Sequence, residues 1–380
     1  MKKKILVTTA TRAEYGTLRP IMEKIRDSDK LELILLVTGT HLSKSHGFTI
    51  NEILQDKFKI HAKFNYLPIR DDNFSMSTAL GKGIINFSKI FQKFHPDINL
   101  LIGDRDEMLA SAIAASHMNI VNAHIAGGDV SGGIDEYNRH AITKLSNIHF
   151  ASTKKSKQHI IKMGENKKYV FYTGSPNIDQ IKEGRITSKK VLETKYSLKL
   201  TGKEIILLQH PVTTESNKSQ EQILTTLKAI SKLKNFVIGI YPNSDAGNKS
   251  ILKPLKRFSK THSNFKLFST FPREDYLGLL QYAGVLLGNS SSGIIEASYF
   301  GIPVINIGKR QRCRERGKHI YDVSEHSSNE IYRNLLKALN AKQKTKNKSI
   351  YGHGNASKKI VKILESMKIT DSLLDKKLQF

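Results

Sequence analysis

The sequence has few of the residues that build disulfide-rich or membrane-spanning proteins. Cys313 is the only cysteine among the 380 residues. A single cysteine excludes an intrachain disulfide and a zinc site made of four cysteines. The longest apolar runs, such as "LELILLV" at 31–37, are far shorter than the ~20 residues that span a bilayer. These absences predict a cytoplasmic globular protein with no membrane contact.

Acidic residues are also scarce: 34 Asp and Glu stand against 61 Lys and Arg, a net charge of +27. This excess suggests an anionic partner or a lysine-coated surface. The lysines are scattered, with one denser tract at Asn340–Ser349, and no basic run alternates with aromatic residues as a base-stacking groove requires. The distribution therefore argues against nucleic acid as the partner.

Short apolar, β-branched runs alternate with helix-length segments along the chain, which predicts βαβ units and parallel sheets. Eleven such runs are too many for one ordinary open sheet. We expect an α/β protein of two Rossmann-like domains, at about 1–180 and 190–355, with a closing helix in 356–380 that packs back on the first domain. The runs are "KILVTT", "LELILLVTG", "DINLLIGD", "NIVNAHIAG", "IHFAST", "YVFYTG", "EIILLQH", "FVIGIYP", "FKLFST", "GVLLGNS" and "PVINIG".

Polar residues collect where these strands end, and ligands of doubly wound sheets bind at the carboxyl ends of the strands. Two such edges facing each other predict an active site in a cleft between the domains. The residues at these ends include Arg12, Asp104, Arg105, His210, Asn243, Asp245 and Ser290 to Ser292.

The clearest nucleotide-binding pattern is "GNSSSGIIEA", in which a strand passes through small residues into a helix. Such a turn lets the backbone approach a phosphate at the positive end of the helix. The hydroxyls of Ser290 and Ser291 add donors, and Glu296 can accept from a ribose. The alternative is a serine-rich helix cap without a ligand.

Two further strand ends carry groups suited to proton transfer. His210 follows "ILLQ" and can exchange protons near neutral pH, although a lone histidine is more often structural. Asp104 follows "LLIG", and there the alternative is that Asp104 or Asp106 caps the next helix.

The stretch "AGGDVSGGIDEYNRH" combines a glycine-rich loop with a helix that begins near Asp135. Asp135 and Arg139 then lie one turn apart, as do Glu136 and His140, and exposed ion pairs are the simplest explanation. In "TRAEYG", Arg12 is placed to clamp a phosphate, with Glu14 holding it, and Arg310 in "GKRQR" is placed to do the same. Cys313 has no companion base and is taken as non-catalytic.

Taken in order, seven motifs resemble the hydrolysing UDP-N-acetylglucosamine 2-epimerases of sialic-acid-type sugar synthesis. The resemblance implies a glycosyltransferase-B-like fold and a reaction without metal or nicotinamide, in which UDP leaves as the C2 proton is removed. Water then adds to the 2-acetamidoglucal and releases N-acetylmannosamine. The motifs are "TRAEYG", "GDR", "GGDVSGGIDEYNRHAITKLS", "HPVTTE", "YPNSDAG", "GNSSSGIIEA" and "GKRQR".

The resemblance also implies roles for individual residues. Asp104, Asp135 and His210 are the expected catalytic groups, with the aspartates on the sugar, His210 on the diphosphate and Arg139 orienting Asp135. The expected nucleotide-sugar contacts are Arg12, Arg105, Asn243, Asp245, Ser290, Ser291, Ser292, Glu296 and Arg310. A homodimer or homotetramer is expected.

The chain departs from the family pattern at Ala126, where many relatives have Glu in "HIEGG". Asp129 or Glu136 replaces this acid, or the reaction proceeds with two aspartates and His210. The substrate stays open too, because relatives act on UDP-2,4-diacetamido-2,4,6-trideoxyglucose for legionaminic acid. A UDP-sugar glycosyltransferase and a catalytically silent binding protein are more remote alternatives.

Overall fold

The computed structural model describes residues 2–70, 72–243, 245–341 and 349–379. The chain forms two compact units. Unit 1 consists of Met1–Val130, Asp135–Glu183 and Tyr351–Phe380, and unit 2 of Ser131–Ile134 and Gly184–Ile350. Most of the lysine-rich tract singled out in the sequence, residues 342–348, lies outside the described residues.

Unit 1 contains a seven-stranded parallel sheet with the strand order β3-β2-β1-β4-β5-β6-β7. Its strands are β1 (Lys3–Thr9), β2 (Leu31–Val37), β3 (Ala62–Lys63), β4 (Ile98–Ile102), β5 (Val121–Ile125), β6 (Ile148–Ala151) and β7 (Val170–Tyr172). Its helices are α1 (Arg12–Arg26), α2 (Ile50–Gln55), α3 (Asn73–Phe94), α4 (Asp106–His117), α5 (Ile134–Lys144), α6 (Lys154–Lys162), α7 (Asp179–Lys182), and, after unit 2, α14 (Ala356–Ser366) and α15 (Asp371–Leu374).

Helices cover both faces of this sheet, so its strands are apolar on both sides. Successive side chains of β1 point to opposite faces. Ile5 and Val7 belong to a buried cluster with residues of α1 and α14, whereas Leu6 packs with Phe87 of α3 and with residues of α4. The closing helix of the chain is therefore part of the core of unit 1.

Unit 2 contains a six-stranded parallel sheet with the order β10-β9-β8-β11-β12-β13. Its strands are β8 (Ile205–Leu208), β9 (Val237–Ile240), β10 (Phe265–Phe268), β11 (Val285–Gly288), β12 (Val304–Ile307) and β13 (Ile320–Val323). Its helices are α8 (Lys189–Tyr196), α9 (Ser219–Ile230), α10 (Asn248–Thr261), α11 (Arg273–Tyr282), α12 (Ser292–Phe300) and α13 (Ser328–Asn340).

Each sheet reverses its strand order once, and a ligand crevice forms at such a point. In unit 1 the reversal lies between β1 and β4, and in unit 2 between β8 and β11. The chain leaves β1 toward Arg12, β4 toward Asp104, β8 toward His210 and β11 toward Ser290. The sheet topology thus brings predicted site residues to the switch point of each unit.

The predicted α/β class with two Rossmann-like units is confirmed, and all eleven predicted strands are present. Two edge strands were missed. β3 has only two residues, and β13 is buried at Val323 alone, so neither carries an apolar run. Among the helices of the described residues, none is both long and apolar enough to cross a membrane.

Candidate active site

A buried ion pair joins α5 to the end of β4. The Arg139 guanidinium, whose side chain is 1% exposed, pairs through Nη2 with Asp104. Its Nη1 donates to Glu136 Oε2 at 2.7 Å and to the Asp129 carbonyl oxygen at 3.2 Å. Burial alone would lower the pKa of Arg139, but the carboxylates of Asp104, Asp129 and Glu136 outweigh burial and raise it. Arg139 therefore stays charged and orients Asp104. Its expected role toward Asp135 stays a prediction.

Asp104 directly precedes the N-cap of α4. The N-cap of α4 is Arg105, whose own side chain makes no capping hydrogen bond. Asp106, in the first turn, accepts from Asn138 Nδ2 at 2.7 Å, and Arg105 Nε lies 3.8 Å from Glu107 Oε2. The Asp104 carboxylate is thus held by Arg139 at the carboxyl end of β4, beside the switch point.

The glycine-rich loop after β5 packs too tightly for larger residues. A Cβ at Gly128, which has a φ of +74°, would lie 2.3 Å from the Ser156 carbonyl oxygen. Ala126 also has a positive φ, +65°, a conformation uncommon for residues other than glycine. Asp129, which is 6% exposed, accepts from Ser156 Oγ at 2.5 Å. The Asp129 carboxylate therefore contacts the first turn of α6.

His124 in β5 and His140 in α5, the histidines on either side of the glycine-rich loop, have different surroundings. His124 is fully buried, and burial lowers its pKa to about 3. Its Nε2 donates to the Gly103 carbonyl oxygen at 2.7 Å, and its Nδ1 lies 3.2 Å from Thr143 Oγ1. His140 lies on the outside of α5 and contacts Glu136 at 2.8 Å. His124 is thus a neutral link between the end of β4 and α5.

The first helix begins with a capping box. Thr11 Oγ1 accepts from the Glu14 amide, and Glu14 Oε2 accepts from the Ala10 and Thr11 amides at 2.9 and 3.1 Å. We predicted that Glu14 holds Arg12, but Arg12 pairs with Glu52 of α2, and Glu14 caps the helix. The sequence misled here because a capping glutamate and an ion-pair partner occupy the same spacing.

Glu14 has a raised pKa for a capping residue. Burial and the nearby Glu107 raise its pKa to about 7, against lowering contributions from Arg105 and the two backbone hydrogen bonds. Its Oε1 is buried and has no hydrogen-bond partner within the described part of the chain. A proton on this carboxyl group is therefore favoured by folding.

Glu14→Gln is expected to make stability less sensitive to alkaline pH. A raised folded-state pKa stabilises fully below the unfolded value near 4.5, and this contribution is lost as pH rises through about 7. The amide keeps an acceptor for the two backbone N–H groups and never ionises. At pH 8 we expect the variant to exceed the wild type by about 2 kcal/mol in free energy of unfolding, with little difference near pH 4.

Urea denaturation across this pH range tests the prediction. Glu23→Gln is the matched control, because Glu23 is on the same helix and pairs with Arg19 at 3.1 Å. A wild type that is as stable at pH 8 as Glu14→Gln would contradict the assignment.

In unit 2, His210 is fixed through its backbone and its ring. The His210 amide donates to Asn289 Oδ1 at 2.7 Å, and Asn289 Nδ2 donates back to the His210 carbonyl at 2.9 Å. The Asn243 amide donates to His210 Nδ1 at 3.0 Å. Since Nδ1 accepts, the neutral ring carries its hydrogen on Nε2. His210 is therefore a positioned Nε2–H donor at the end of β8.

Two more predicted residues lie in the loop after β9. Asn243 Nδ2 donates to the Asp245 carboxylate, which is 5% exposed, and the Asp245 carbonyl accepts from Asn248 Nδ2 at 2.9 Å. The same Asn243 provides the amide bound to His210. This loop and the end of β8 thus form one hydrogen-bonded group.

The serine-rich turn after β11 leads into α12. Its N-cap is Ser291, whose side chain makes no capping bond. Ser292 Oγ contacts the Tyr276 hydroxyl and lies 3.2 Å from Ser290 Oγ. The Ser290 hydroxyl accepts from the Ser292 amide at 3.4 Å, so one serine caps the helix start, as the alternative interpretation of the sequence predicted. The positive end of α12 is flanked by hydroxyl donors suited to a phosphate.

Arg310 and Gln311, which the sequence analysis did not select, both bind the residue at the start of this turn, Asn289. Arg310 Nη1 and Gln311 Nε2 donate to the Asn289 carbonyl oxygen at 3.2 and 3.3 Å. Asn289 therefore connects Arg310 to His210. Asn289 lies inside "GNSSSG", but its amide had no distinguishing feature before its partners were known.

Glu296 is buried, with 2% of the residue exposed. Arg273 Nη2 lies 2.7 Å from its Oε1. Its Oε2 is buried and has no hydrogen-bond partner among the residues that the structure describes. Arg273 thus balances the charge of the Glu296 carboxylate through Oε1. Oε2 remains a hydrogen-bond acceptor suited to the hydroxyls of a ribose.

The geometry groups the predicted residues within each unit. Unit 1 brings Asp104 and Arg139 together, with Asp129 and Glu136 on the same guanidinium, and Asp135 is half-buried in the first turn of α5. Unit 2 joins His210, Asn243 and Asp245, and through Asn289 also Arg310. In the described ranges, no group of three or more His, Cys, Asp or Glu is placed to hold a metal ion.

Comparison with protein families gives one match over most of the chain. The model for UDP-N-acetylglucosamine 2-epimerase matches residues 23–365. The chain is 36% identical to the UDP-N,N′-diacetylbacillosamine 2-epimerase (hydrolyzing) of Legionella pneumophila, over 99% of each chain. It is 34% identical to a UDP-N-acetylglucosamine 2-epimerase of Neisseria meningitidis, over 86% of this chain and 85% of that one.

A solved structure supports the fold. The UDP-N-acetylglucosamine 2-epimerase of Methanocaldococcus jannaschii in complex with UDP-N-acetylglucosamine and UDP aligns with a TM-score of 0.78 at 21% identity. The alignment covers 96% of this chain and 99% of that structure. The chain thus has a glycosyltransferase-B-like fold, in which each unit is a Rossmann-like domain built on a parallel sheet.

Proposed function

Because the chain belongs to the UDP-N-acetylglucosamine 2-epimerase family, we propose that it is a hydrolysing 2-epimerase of a UDP-2-acetamido sugar. One observation carries the hydrolysing assignment: the Legionella relative that matches 99% of both chains is named as a hydrolyzing enzyme. The reaction consumes water and releases UDP and a free sugar with inverted C2.

The first candidate substrate is UDP-N,N′-diacetylbacillosamine, which is UDP-2,4-diacetamido-2,4,6-trideoxyglucose, because it is named for that full-length relative. UDP-N-acetylglucosamine, the substrate named for the Neisseria relative, is the second and would yield N-acetylmannosamine. Both products are 2-acetamido sugars of the mannose configuration, suited to the synthesis of nonulosonic acids such as legionaminic or sialic acid.

The chemistry has two stages. A base removes the proton on C2 while the bond from C1 to the UDP oxygen breaks, which gives a 2-acetamidoglucal and UDP. Water then adds its hydroxyl to C1 and a proton to the opposite face of C2. Such a reaction needs an acid/base group at C2 and donors for the leaving diphosphate.

In unit 1 we assign proton transfer at C2 to Asp104 and Asp135. Asp104 is held by the buried Arg139, so its carboxylate is oriented before substrate binds. The two acids considered as replacements at Ala126 are engaged elsewhere: Asp129 with Ser156, and Glu136 with Arg139 and His140. Their contacts favour the alternative in which two aspartates and His210 suffice.

We assign binding of the nucleotide part of the substrate to residues of unit 2. His210 donates to the diphosphate through Nε2, and the start of α12 with Ser290, Ser291 and Ser292 receives a phosphate. Glu296 Oε2 accepts from the ribose. Asn243 and Asp245 position the His210 side of this site, and Arg310 supplies positive charge for the diphosphate. The nucleotide-sugar contacts expected of Arg12 and Arg105, which belong to unit 1, stay predictions.

Incubation with each UDP-sugar in deuterated water tests the function. We expect UDP release and a free sugar that carries deuterium at C2, with and without a chelator, and turnover of the diacetamido sugar at least about tenfold faster than that of UDP-N-acetylglucosamine. NMR identifies the sugar and the label. Release from neither substrate, a product still bound to UDP, or retention of the original hydrogen at C2 would each contradict the proposal.

A further inference from the structure

The last residues of the chain contact the far end of the helix that carries Asp135 and Arg139. We name Asp371–Gln379 the C-terminal segment. Asn147 Nδ2 donates to the Leu373 carbonyl oxygen at 2.8 Å, and the Gln379 amide donates to the Gly164 carbonyl oxygen at 2.9 Å. The segment is therefore bound within unit 1 on both sides of Lys376.

Lys376 caps the C-terminal end of α5. Its Nζ donates to the carbonyl oxygens of Lys144 at 2.6 Å and Ser146 at 2.7 Å, and lies 3.4 Å from that of Thr143. The last carbonyl groups of a helix have no partner inside the helix, and a cation there also meets the negative end of the helix dipole. One ammonium group thus satisfies the end of α5 from 230 residues away in sequence.

A buried carboxylate holds this ammonium in place. Glu165, whose side chain is 2% exposed, binds Lys376 Nζ at 2.6 Å, Lys144 Nζ at 2.7 Å and His149 Nε2 at 3.1 Å. Burial alone would raise the pKa of Glu165, but the hydrogen bonds from His149, Lys144 and Lys376 lower it to about 2. The carboxylate therefore stays charged across the neutral range and fixes both lysines.

A chain of contacts leads from this capped end to Asp104. Thr143, beside Lys376, places its hydroxyl 2.8 Å from the Arg139 carbonyl oxygen and 3.2 Å from His124 Nδ1. His124 in turn donates to the carbonyl oxygen of Gly103, the residue before Asp104. A Cβ at Gly127 would lie 2.8 Å from the Thr143 hydroxyl, so this junction has no spare room.

We propose that Lys376 is a positioning residue for the reaction: by capping α5 it sets the place of Arg139 and thereby of the Asp104 carboxylate. This inference rests on the proposed function. Lys376 acts through α5 and is not expected to touch the substrate. Its loss should therefore slow the chemical step and leave UDP binding, assigned to unit 2, unchanged.

The test compares two neighbouring lysines. Lys376→Met removes the ammonium and keeps the length of the side chain. Lys377→Met is the matched control, because Lys377 is 75% exposed and pairs only weakly with the exposed Asp375 at 3.2 Å. We expect Lys376→Met to lower kcat about tenfold with KM changed less than about twofold, because small displacements of a catalytic group cost rate. Lys376→Arg, which retains N–H donors and charge, should recover most of kcat.

A purely structural lysine gives a different result. If Lys376→Met lowers only the thermal unfolding midpoint, and kcat at a temperature where both variants are folded equals that of Lys377→Met, the inference is wrong. Should Lys376→Met fail to fold, Glu165→Gln loosens the same lysine while keeping the shape of the buried side chain. It must then lower kcat at constant KM, and an unchanged kcat would overturn the inference.

Hydrogen exchange separates this inference from the proposed function. In substrate-free protein, amides of α5 around Arg139 should exchange about tenfold faster in Lys376→Met than in Lys377→Met, since capping stabilises the helix. If the wild type hydrolyses neither UDP-sugar, the proposed function fails while this readout still reports on the cap. Equal exchange in the two variants would overturn the positioning role whatever the substrate.

Discussion

Asp104→Asn is expected to lower kcat by about three orders of magnitude, because general acid–base groups contribute factors of this size. Asparagine has nearly the same shape and keeps an oxygen that accepts from Arg139, which pairs with Asp104 in the wild type. It cannot take up the C2 proton. We therefore expect a folded protein that binds UDP with a dissociation constant within about twofold of the wild type. Its UDP release from the substrate and its exchange of C2 hydrogen with solvent should both slow by about three orders of magnitude.

The matched control for this variant is Asp106→Asn. Asp106 lies two residues away, in the first turn of α4, and contacts Asn138 at 2.7 Å. Kinetics and deuterium incorporation are measured for both variants. A value of kcat for Asp104→Asn above about a tenth of that of Asp106→Asn would remove Asp104 from the proton-transfer step.

The architecture could be predicted because strands of a parallel sheet are buried on both faces and therefore appear in the sequence as continuous apolar runs. The two missed strands show the limit of this signal. β3 is two residues long, and three of the four residues of β13 are not fully buried. An edge strand forms because its backbone pairs with a strand from another part of the chain. Its side chains can stay exposed, so its sequence need not contain an apolar run.

Motif order could likewise predict which residues lie at the strand ends, but not their partners. Arg139 looked like half of an exposed helical pair with Asp135, whereas it is 1% exposed and pairs with Asp104, 35 residues earlier. Lys376 is one lysine among many in a lysine-rich chain. Its position against α5 follows from packing at long range, and no local pattern distinguishes it from Lys377.

The hydrogen-bond pattern around His210 makes a second strong prediction. The Asn243 amide donates to Nδ1, so the hydrogen of the neutral ring is on Nε2 and points away from that loop. In this form we expect His210 to stabilise the departing diphosphate as a neutral donor. Addition of a second proton at Nδ1 would require the ring to give up the bond from Asn243.

Replacing His210 with Gln or Asn tests whether His210 acts as a neutral hydrogen-bond donor or delivers a proton. The Gln side chain reaches the position of the histidine Nε2 with an N–H donor, whereas the Asn amide ends near Nδ1, against the Asn243 amide. We expect His210→Ala and His210→Asn to lower kcat by about two to three orders of magnitude, as loss of a donor to developing charge does. His210→Gln should retain about tenfold more activity than His210→Ala, and the ¹⁵N shifts of His210 in the wild type should report hydrogen on Nε2. Equal loss in the Gln and Ala variants would instead mean that the ring must deliver a proton, because an amide can imitate the imidazole donor but cannot imitate the imidazolium acid.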